Sequence, residues 1–114
     1  MSKKRVFRVY VAGPMRSGLE RGIHSAVKAA DELMAEGIVP FLPQLQALWN
    51  MISPKDDIYG YFLPFDYAWI DVCDAVLRLP GESWGSDQEV AYAEKTGKLV
   101  FYSIPDLRKW RDCL

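Results

Sequence analysis

Residues 6–14 read VFRVYVAGP and give the first indication of the fold. The β-branched and aromatic side chains of residues 6–12 are typical of a buried strand, which the following Gly-Pro pair ends in a loop. From Leu19 the apolar residues recur at helical spacing up to Gly37, which predicts a helix that ends at that glycine. The chain therefore begins with a strand, a loop and a helix.

The same alternation continues along the rest of the sequence. Further strands are predicted at 38–42, 75–79 and 99–102, a turn at 83–85, and further helices from Pro64 through Val72, at 87–96 and at 105–112. Strands that alternate with helices imply right-handed crossovers and a parallel sheet covered on both faces. We therefore expect one domain over residues 1–114, of α/β class. It would be a small Rossmann-like, flavodoxin-type three-layer sandwich with a parallel sheet of four to five strands.

Residues 44–61 are the part of the sequence that is hardest to interpret. They hold Trp49, a Ser-Pro pair and two adjacent aspartates, and they are compatible with one short helix. A segment of this length is long for a plain connection, so a functional lid or pocket wall is one interpretation. A covering segment over the core is the other, and the sequence leaves both open.

Composition excludes several classes of function. The chain has 114 residues with 14 Lys and Arg against 15 Asp and Glu, so its net charge of -1 offers no general attraction to nucleic acid or to an anionic membrane. No apolar run approaches the about 20 residues of a membrane-spanning helix. The two cysteines, Cys73 and Cys113, form no CxxC motif and suit a reducing cytoplasm as free thiols. With a single histidine, His24, we expect no metal site and no cofactor.

Two loops at the carboxyl ends of predicted strands are candidates for ligand binding. Gly13 to Gly18 follows the first strand and Pro80 to Asp87 follows the third, and both are rich in Gly, Ser and Pro. Parallel sheets bind ligands beyond the carboxyl ends of their strands, and helix N-termini offer free N–H groups. Neither loop matches GxxxxGK[ST] or GxGxxG, which argues against triphosphate hydrolysis and a standard dinucleotide site.

Two acidic residues are placed near these loops. Glu89 is predicted in the first turn of its helix, where the helix dipole favours the ionised carboxylate, and Asp66 lies near the N-terminal end of the preceding predicted helix. Two carboxylates without a histidine suit chemistry at a glycosidic carbon, with one attacking and the other handling the proton. The alternative is that Glu89 only caps or neutralises its helix.

Three blocks of the sequence resemble the nucleoside 2-deoxyribosyltransferase superfamily, which includes the 2'-deoxynucleoside 5'-phosphate N-hydrolases. They are YVAGPMRSG at residues 10–18, Asp66-x-x-Trp69 running into Asp74-Ala75-Val76, and the LPG of residues 79–81 followed by Ser83-x-Gly85-x-x-x-Glu89. The blocks occur in the family's order and span nearly the whole chain. The sequence is most similar to a small phage and bacterial branch of this superfamily.

The resemblance implies a role for each matching residue. Glu89 would be the nucleophile that attacks C1' of the sugar, Asp66 the second catalytic carboxylate, and Tyr10 the residue that orients the glutamate. The sugar and any 5'-phosphate would contact residues of both loops, namely Gly13, Arg16, Ser17, Gly18, Ser83 and Gly85. The resemblance also implies a homodimer or larger homo-oligomer.

The main hypothesis is therefore cleavage of the N-glycosidic bond of a nucleoside or its 5'-monophosphate, by hydrolysis or by transfer to a second base. The alternative is a non-catalytic nucleotide-binding module on the same fold, which would keep the donors around Ser83 and Gly85. A third candidate, a phosphoribohydrolase of the lysine-decarboxylase-like type, is disfavoured because its PGGxGTxxE pattern is not met.

Overall fold

The computed structural model describes residues 5–14 and 19–114. Its strands are β1 (Phe7–Ala12), β2 (Ile38–Phe41), β3 (Ala75–Arg78) and β4 (Leu99–Phe101), and its helices are α1 (Leu19–Ala35), α2 (Gln46–Ile52), α3 (Ile58–Val72), α4 (Trp84–Lys95) and α5 (Ile104–Asp112). A short 3-10 turn, Pro43–Leu45, leads from β2 into α2. The strand predictions are confirmed to within one residue at each end.

The four strands form one parallel sheet in the order β2-β1-β3-β4. Strand β1 lies between β2 and β3, with Tyr10 paired to Phe41 on one side and to Val76 on the other. This is the α/β, flavodoxin-like architecture that the alternation of strands and helices predicts. Because all strands are parallel, their carboxyl ends meet at one edge, and that edge carries the loops singled out in the sequence.

Two apolar clusters cover the two faces of the sheet. Successive side chains of a strand point to opposite faces, so Val9 and Val11 pack with Leu33 of α1 and Leu107 of α5. Their neighbour Tyr10 points the other way. The second face contains Tyr10, Ala12, Ile70, Cys73, Val76 and Ala93 and lies under α3 and α4. The result is a three-layer sandwich with Tyr10 of β1 on the α3–α4 side.

Helix α3 begins six residues earlier than the sequence predicts. Pro64 was expected at the first helical position, but it lies inside the helix, where it removes one backbone hydrogen bond. The helix begins after Asp57, whose Oδ1 accepts from the Gly60 N–H at 2.9 Å and caps the N-terminus. Asp66 consequently lies in the middle of α3 and not near its N-terminal end, so the prediction for its position was wrong.

Helix α4 also begins earlier than predicted. Ser83 is the cap of this helix, and its Oγ accepts from the Ser86 N–H at 3.1 Å. The predicted turn at 83–85 is therefore the cap and first turn of α4. Glu89 lies in the second turn of the helix and not in its first, which moves the carboxyl away from the free N–H groups of the N-terminus.

Candidate active site

A cavity of about 370 Å³ opens at the carboxyl edge of the sheet, between α2, α3 and the start of α4. A nucleoside-sized ligand suits a cavity of this scale. Its polar lining includes Gly13, Gln44, Gln46, Asn50, Asp66, Ser83, Gly85, Ser86 and Glu89. Its apolar lining includes Pro43, Ala47, Met51, Ile58, Phe62 and Leu63. Both predicted carboxylates thus line the same cavity.

A residue of strand β1, Tyr10, holds the Glu89 carboxyl in place. Tyr10 is completely buried, and its hydroxyl donates to Glu89 Oε2 at 2.6 Å. The contact arises because Tyr10 points to the α3–α4 face of the sheet while Glu89 points from α4 toward that face. The two residues are 79 positions apart, so only the packing of α4 on the sheet brings them together. The predicted contact between this tyrosine and this glutamate is present.

A residue of helix α2, Gln46, holds the Asp66 carboxyl in place. Gln46 Nε2 donates to Asp66 Oδ1 at 2.6 Å, and both side chains are buried. A buried carboxylate needs such donors, because burial otherwise penalises its charged form. Gln46 therefore fixes both the position and the charge preference of Asp66.

The two carboxyl groups interact with each other, and their pKa values are displaced accordingly. Burial, together with the hydrogen bond and charge of Asp66, raises the pKa of Glu89 from 4.5 to about 9. Burial also raises the pKa of Asp66, while its hydrogen bonds to Glu89, Gln46 and Tyr10 oppose that rise. Both carboxyls therefore favour their neutral forms more than free carboxyls do, and the shift is large for Glu89.

Burial therefore displaces the pKa of Glu89 in the direction opposite to the expected ionisation. The helix dipole that was expected to stabilise its charge acts within the first turn, and Glu89 lies beyond it. Desolvation is the largest influence on this carboxyl and favours the neutral form.

The loop glycines shape the cavity by permitting close approaches. A Cβ on Gly13 would lie 3.1 Å from Leu79 Cβ, and one on Gly85 would lie 3.0 Å from Tyr59 Cε1. Gly13, Ser83 and Gly85 line the cavity as predicted. Arg16, Ser17 and Gly18, predicted to contact substrate, lie outside the described residues.

A family model covers most of the sequence. Residues 7–102 match a family described as a domain of unknown function, DUF4406. This chain belongs to the DUF4406 family.

The solved structures add a likeness of fold. A 2-deoxyribosyltransferase from the psychrotolerant bacterium Bacillus psychrosaccharolyticus superposes with a TM-score of 0.65 at 20% sequence identity, over 85% of this chain and 75% of that enzyme. The DUF4406 domain therefore shares the deoxyribosyltransferase fold that the sequence blocks indicated. A comparison of the sequence with curated proteins gave no match.

The segment at residues 44–61 forms one wall of the cavity in this DUF4406 domain. It contributes Gln44, Gln46 and Asn50, for which no role was predicted, and Tyr59, which was predicted as a core or subunit-contact residue. Gln44 is 1% exposed and donates to the Val11 and Gly13 carbonyls, which secures the end of β1. The sequence signal that could have identified these cavity residues was the presence of amide side chains in a segment flanked by prolines. The pocket-wall interpretation is confirmed.

Within residues 5–14 and 19–114, no group of three or more His, Cys, Asp or Glu side chains is arranged to hold a metal ion. In the same ranges no helix has the length and apolar character to cross a membrane. Cys73 is buried, Cys113 is exposed, and both are free thiols.

Proposed function

We propose that this domain cleaves the N-glycosidic bond of a nucleoside or its 5'-monophosphate, with Glu89 as nucleophile, Asp66 as proton-handling carboxyl and Tyr10 as the residue that orients Glu89. The observation that carries the proposal is the pair of buried carboxyls, held by Tyr10 and Gln46 at the wall of one nucleoside-sized cavity. The shared fold with a 2-deoxyribosyltransferase supports it.

The protonation state of the pair suits this reaction. Cleavage needs one carboxylate to attack C1' and one proton for the departing base. Two carboxyls that hold one proton supply both. When substrate occupies the cavity, the proton of Glu89 passes by way of Asp66 to a nitrogen of the base, and Glu89 becomes the carboxylate.

The reaction then proceeds in two displacements. The C1'–N bond breaks with its electron pair going to the protonated base, while a Glu89 oxygen bonds to C1' and forms an ester. In the second step, water or a second base attacks C1', the ester oxygen takes back its electron pair, and Asp66 accepts the proton of the attacking group. Gly13, Ser83 and Gly85 bind the sugar, together with Arg16, Ser17 and Gly18.

The first test is release of free base from a panel of nucleosides. The panel contains ribo- and deoxyribonucleosides and their 5'-monophosphates, each with and without an added second base, with products separated by chromatography. We expect the wild-type domain to release base and Glu89→Ala to lose at least about a thousandfold in kcat. The matched control is Glu82→Ala, which removes an exposed acid of the same loop.

Two results would contradict the proposal: no base released from any member of the panel, or full activity in Glu89→Ala. Tight nucleotide binding by calorimetry without any product would instead favour the non-catalytic module.

We also propose that the domain self-associates through the outer faces of α2 and α3. Large apolar side chains are exposed there on both helices, namely Leu48, Trp49, Met51, Ile52, Tyr61, Phe65 and Trp69. A contiguous apolar patch of this kind is unusual for a monomer and typical of an interface. Because α2 and α3 also form the cavity wall, association would stabilise the site.

A further inference from the structure

The cavity has two chemically different ends. The end near the carboxyl pair is polar and is formed by the β1 loop and the start of α4, with Gly13, Ser83 and Ser86. The wall formed by α2 and α3 carries Gln46 and Asp66 at the carboxyl pair and is otherwise largely apolar, with Ala47, Met51, Ile58 and Phe62. With C1' placed at Glu89, as the proposed function requires, the sugar faces the polar end and the flat apolar base faces the α2–α3 wall.

Asn50 is a polar side chain in this apolar wall. It lies one helical turn after Gln46 on α2, so both side chains are on the same face of that helix. Gln46 contacts Asp66. Asn50 therefore lies about 6 Å from Gln46 along the axis of α2, a distance comparable to the width of a nucleobase.

The orientation of the Asn50 amide is fixed by the chain that follows α2. Its Oδ1 accepts from the Lys55 backbone N–H at 2.9 Å. This bond occupies the acceptor side of the amide, so the two N–H bonds of Nδ2 are turned away from Lys55. Within the part of the chain that the structure describes, Nδ2 has no hydrogen-bond partner. Asn50 lines the cavity, and with its Oδ1 held by Lys55 its Nδ2 is the group available to donate to a ligand.

The geometry points to Asn50 as the residue that selects the base, by donating from Nδ2 to an oxo group at the edge of the base far from the sugar. This inference rests on the proposed function. The preferred substrates would carry hypoxanthine, guanine, thymine or uracil, because each presents a carbonyl oxygen there. Adenine and cytosine present an amino group at the same position, which would leave two donors facing each other. A buried donor without an acceptor costs binding free energy.

The test compares nucleosides that differ only at that position of the base. The pairs are 2'-deoxyinosine with 2'-deoxyadenosine and 2'-deoxyuridine with 2'-deoxycytidine. We expect kcat/KM for base release to favour the oxo member of each pair by about tenfold or more. The same nucleosides are also titrated calorimetrically into the Glu89→Gln variant, in which they remain intact, so that binding is measured independently of turnover.

Asn50→Asp is the decisive variant, because it keeps the acceptor for Lys55 and replaces the donor with a second acceptor. We expect it to reverse the preference in both pairs, toward the amino bases. Asn50→Ala removes the donor without adding a charge and should abolish the preference. Gln88→Glu, a charge-matched change outside the cavity lining, should leave the preference as in the wild type. Melting curves establish that each variant is folded.

The outcomes separate this inference from the proposed function. Base release with equal rates in each pair, or a preference that Asn50→Asp and Asn50→Ala leave unchanged, overturns the role of Asn50 and leaves the proposed activity standing. Binding that discriminates the pairs through Asn50 without any base release supports the inference and overturns the activity. Absence of binding by every nucleoside overturns both.

Discussion

At the residue scale, the central feature is a pair of buried carboxyls, Asp66 and Glu89, each with a raised pKa. Each carboxyl has its own neutral donor, Tyr10 for Glu89 and Gln46 for Asp66. Neutral donors lower the cost of a buried negative charge without cancelling it, as a lysine or arginine would. The raised pKa values mean that protons stay on the pair to higher pH than on free carboxyls, and the proposed reaction needs such a proton for the departing base.

Tyr10→Phe is expected to lower kcat about 10- to 100-fold, because it removes one hydrogen bond to a group that is charged during the proposed reaction. The Tyr10 hydroxyl also lowers the pKa of Glu89. Its removal should therefore move the alkaline limb of the kcat/KM profile, which reports loss of the shared proton near pH 9, to higher pH. Rates of base release between pH 5 and pH 10 measure both effects.

Tyr67→Phe is the matched control, because Tyr67 stacks on Tyr92 near the same face of the sheet and donates to neither carboxyl. An alkaline limb at the same pH in Tyr10→Phe and in the wild type would contradict the assignment of that limb to Glu89.

Glu89→Gln tests the same pKa through stability. Burial raises the pKa of Glu89 from 4.5 to about 9, so between these values the folded domain binds a proton that the unfolded chain has released. Its free energy of unfolding therefore falls as pH rises through that range. The glutamine variant mimics the protonated carboxyl at every pH and should be more stable, by on the order of 2 kcal/mol near pH 8.

The measurement is urea unfolding of both proteins at pH 5 and at pH 8. The two should differ little at pH 5, and the gap should widen at pH 8. A variant that is less stable than the wild type at pH 8 would show that Glu89 is ionised in the folded domain.

At the element scale, the cap at Asp57 decides where α3 begins and so where Asp66 lies. Its Oδ1 accepts from the Gly60 N–H at 2.9 Å. Asp57→Ala should lower the free energy of unfolding by about 1 kcal/mol, as loss of an N-terminal cap does. Asp56→Ala removes the neighbouring exposed acid, which caps no helix, and is the control. Chemical denaturation measures the free energy of unfolding of both variants. Equal values for the two would show that the Asp57 side chain does not stabilise the start of α3.

The start of α3 could not be predicted correctly from the sequence alone. Both Pro64 and Asp57 are residues that start helices, and local pattern alone favoured the proline. The six residues between them, from Ile58 to Leu63, are retained in the helix because Ile58, Phe62 and Leu63 line the cavity and Phe62 is buried. Tertiary packing thus extended α3 past a proline that would otherwise have marked its start.

At the scale of the whole molecule, the exposed apolar faces of α2 and α3 predict an oligomer. Sedimentation at micromolar concentration should show a dimer or a larger species. Ile52→Asp places a charge on a side chain that is 86% exposed and should shift the domain toward the monomer, because burial of an unpaired charge at an interface is unfavourable. Leu114→Asp, a similar change at the chain's last residue, should leave the mass unchanged. A monomeric wild-type domain would refute the proposed association.

The sequence by itself determined the α/β class, the order and positions of the strands, and the two carboxylates that line the cavity. These follow from local patterns, because strand and helix periodicity and the residues that end each element are properties of neighbouring positions. The resemblance of the three sequence blocks to a known superfamily also pointed to Glu89, Asp66, Gly13, Ser83 and Gly85, all of which line the cavity.

Only the tertiary structure decided the raised pKa of Glu89, the partner of Asp66 and the side chains that form the cavity wall. Desolvation depends on everything packed around a side chain, and Gln46 meets Asp66 across 20 positions of sequence. The amide side chains of residues 44–61 line the cavity only because α2 lies against α3 above the sheet. The fold was readable from local pattern, whereas the protonation and selectivity of the site arise from contacts between distant segments.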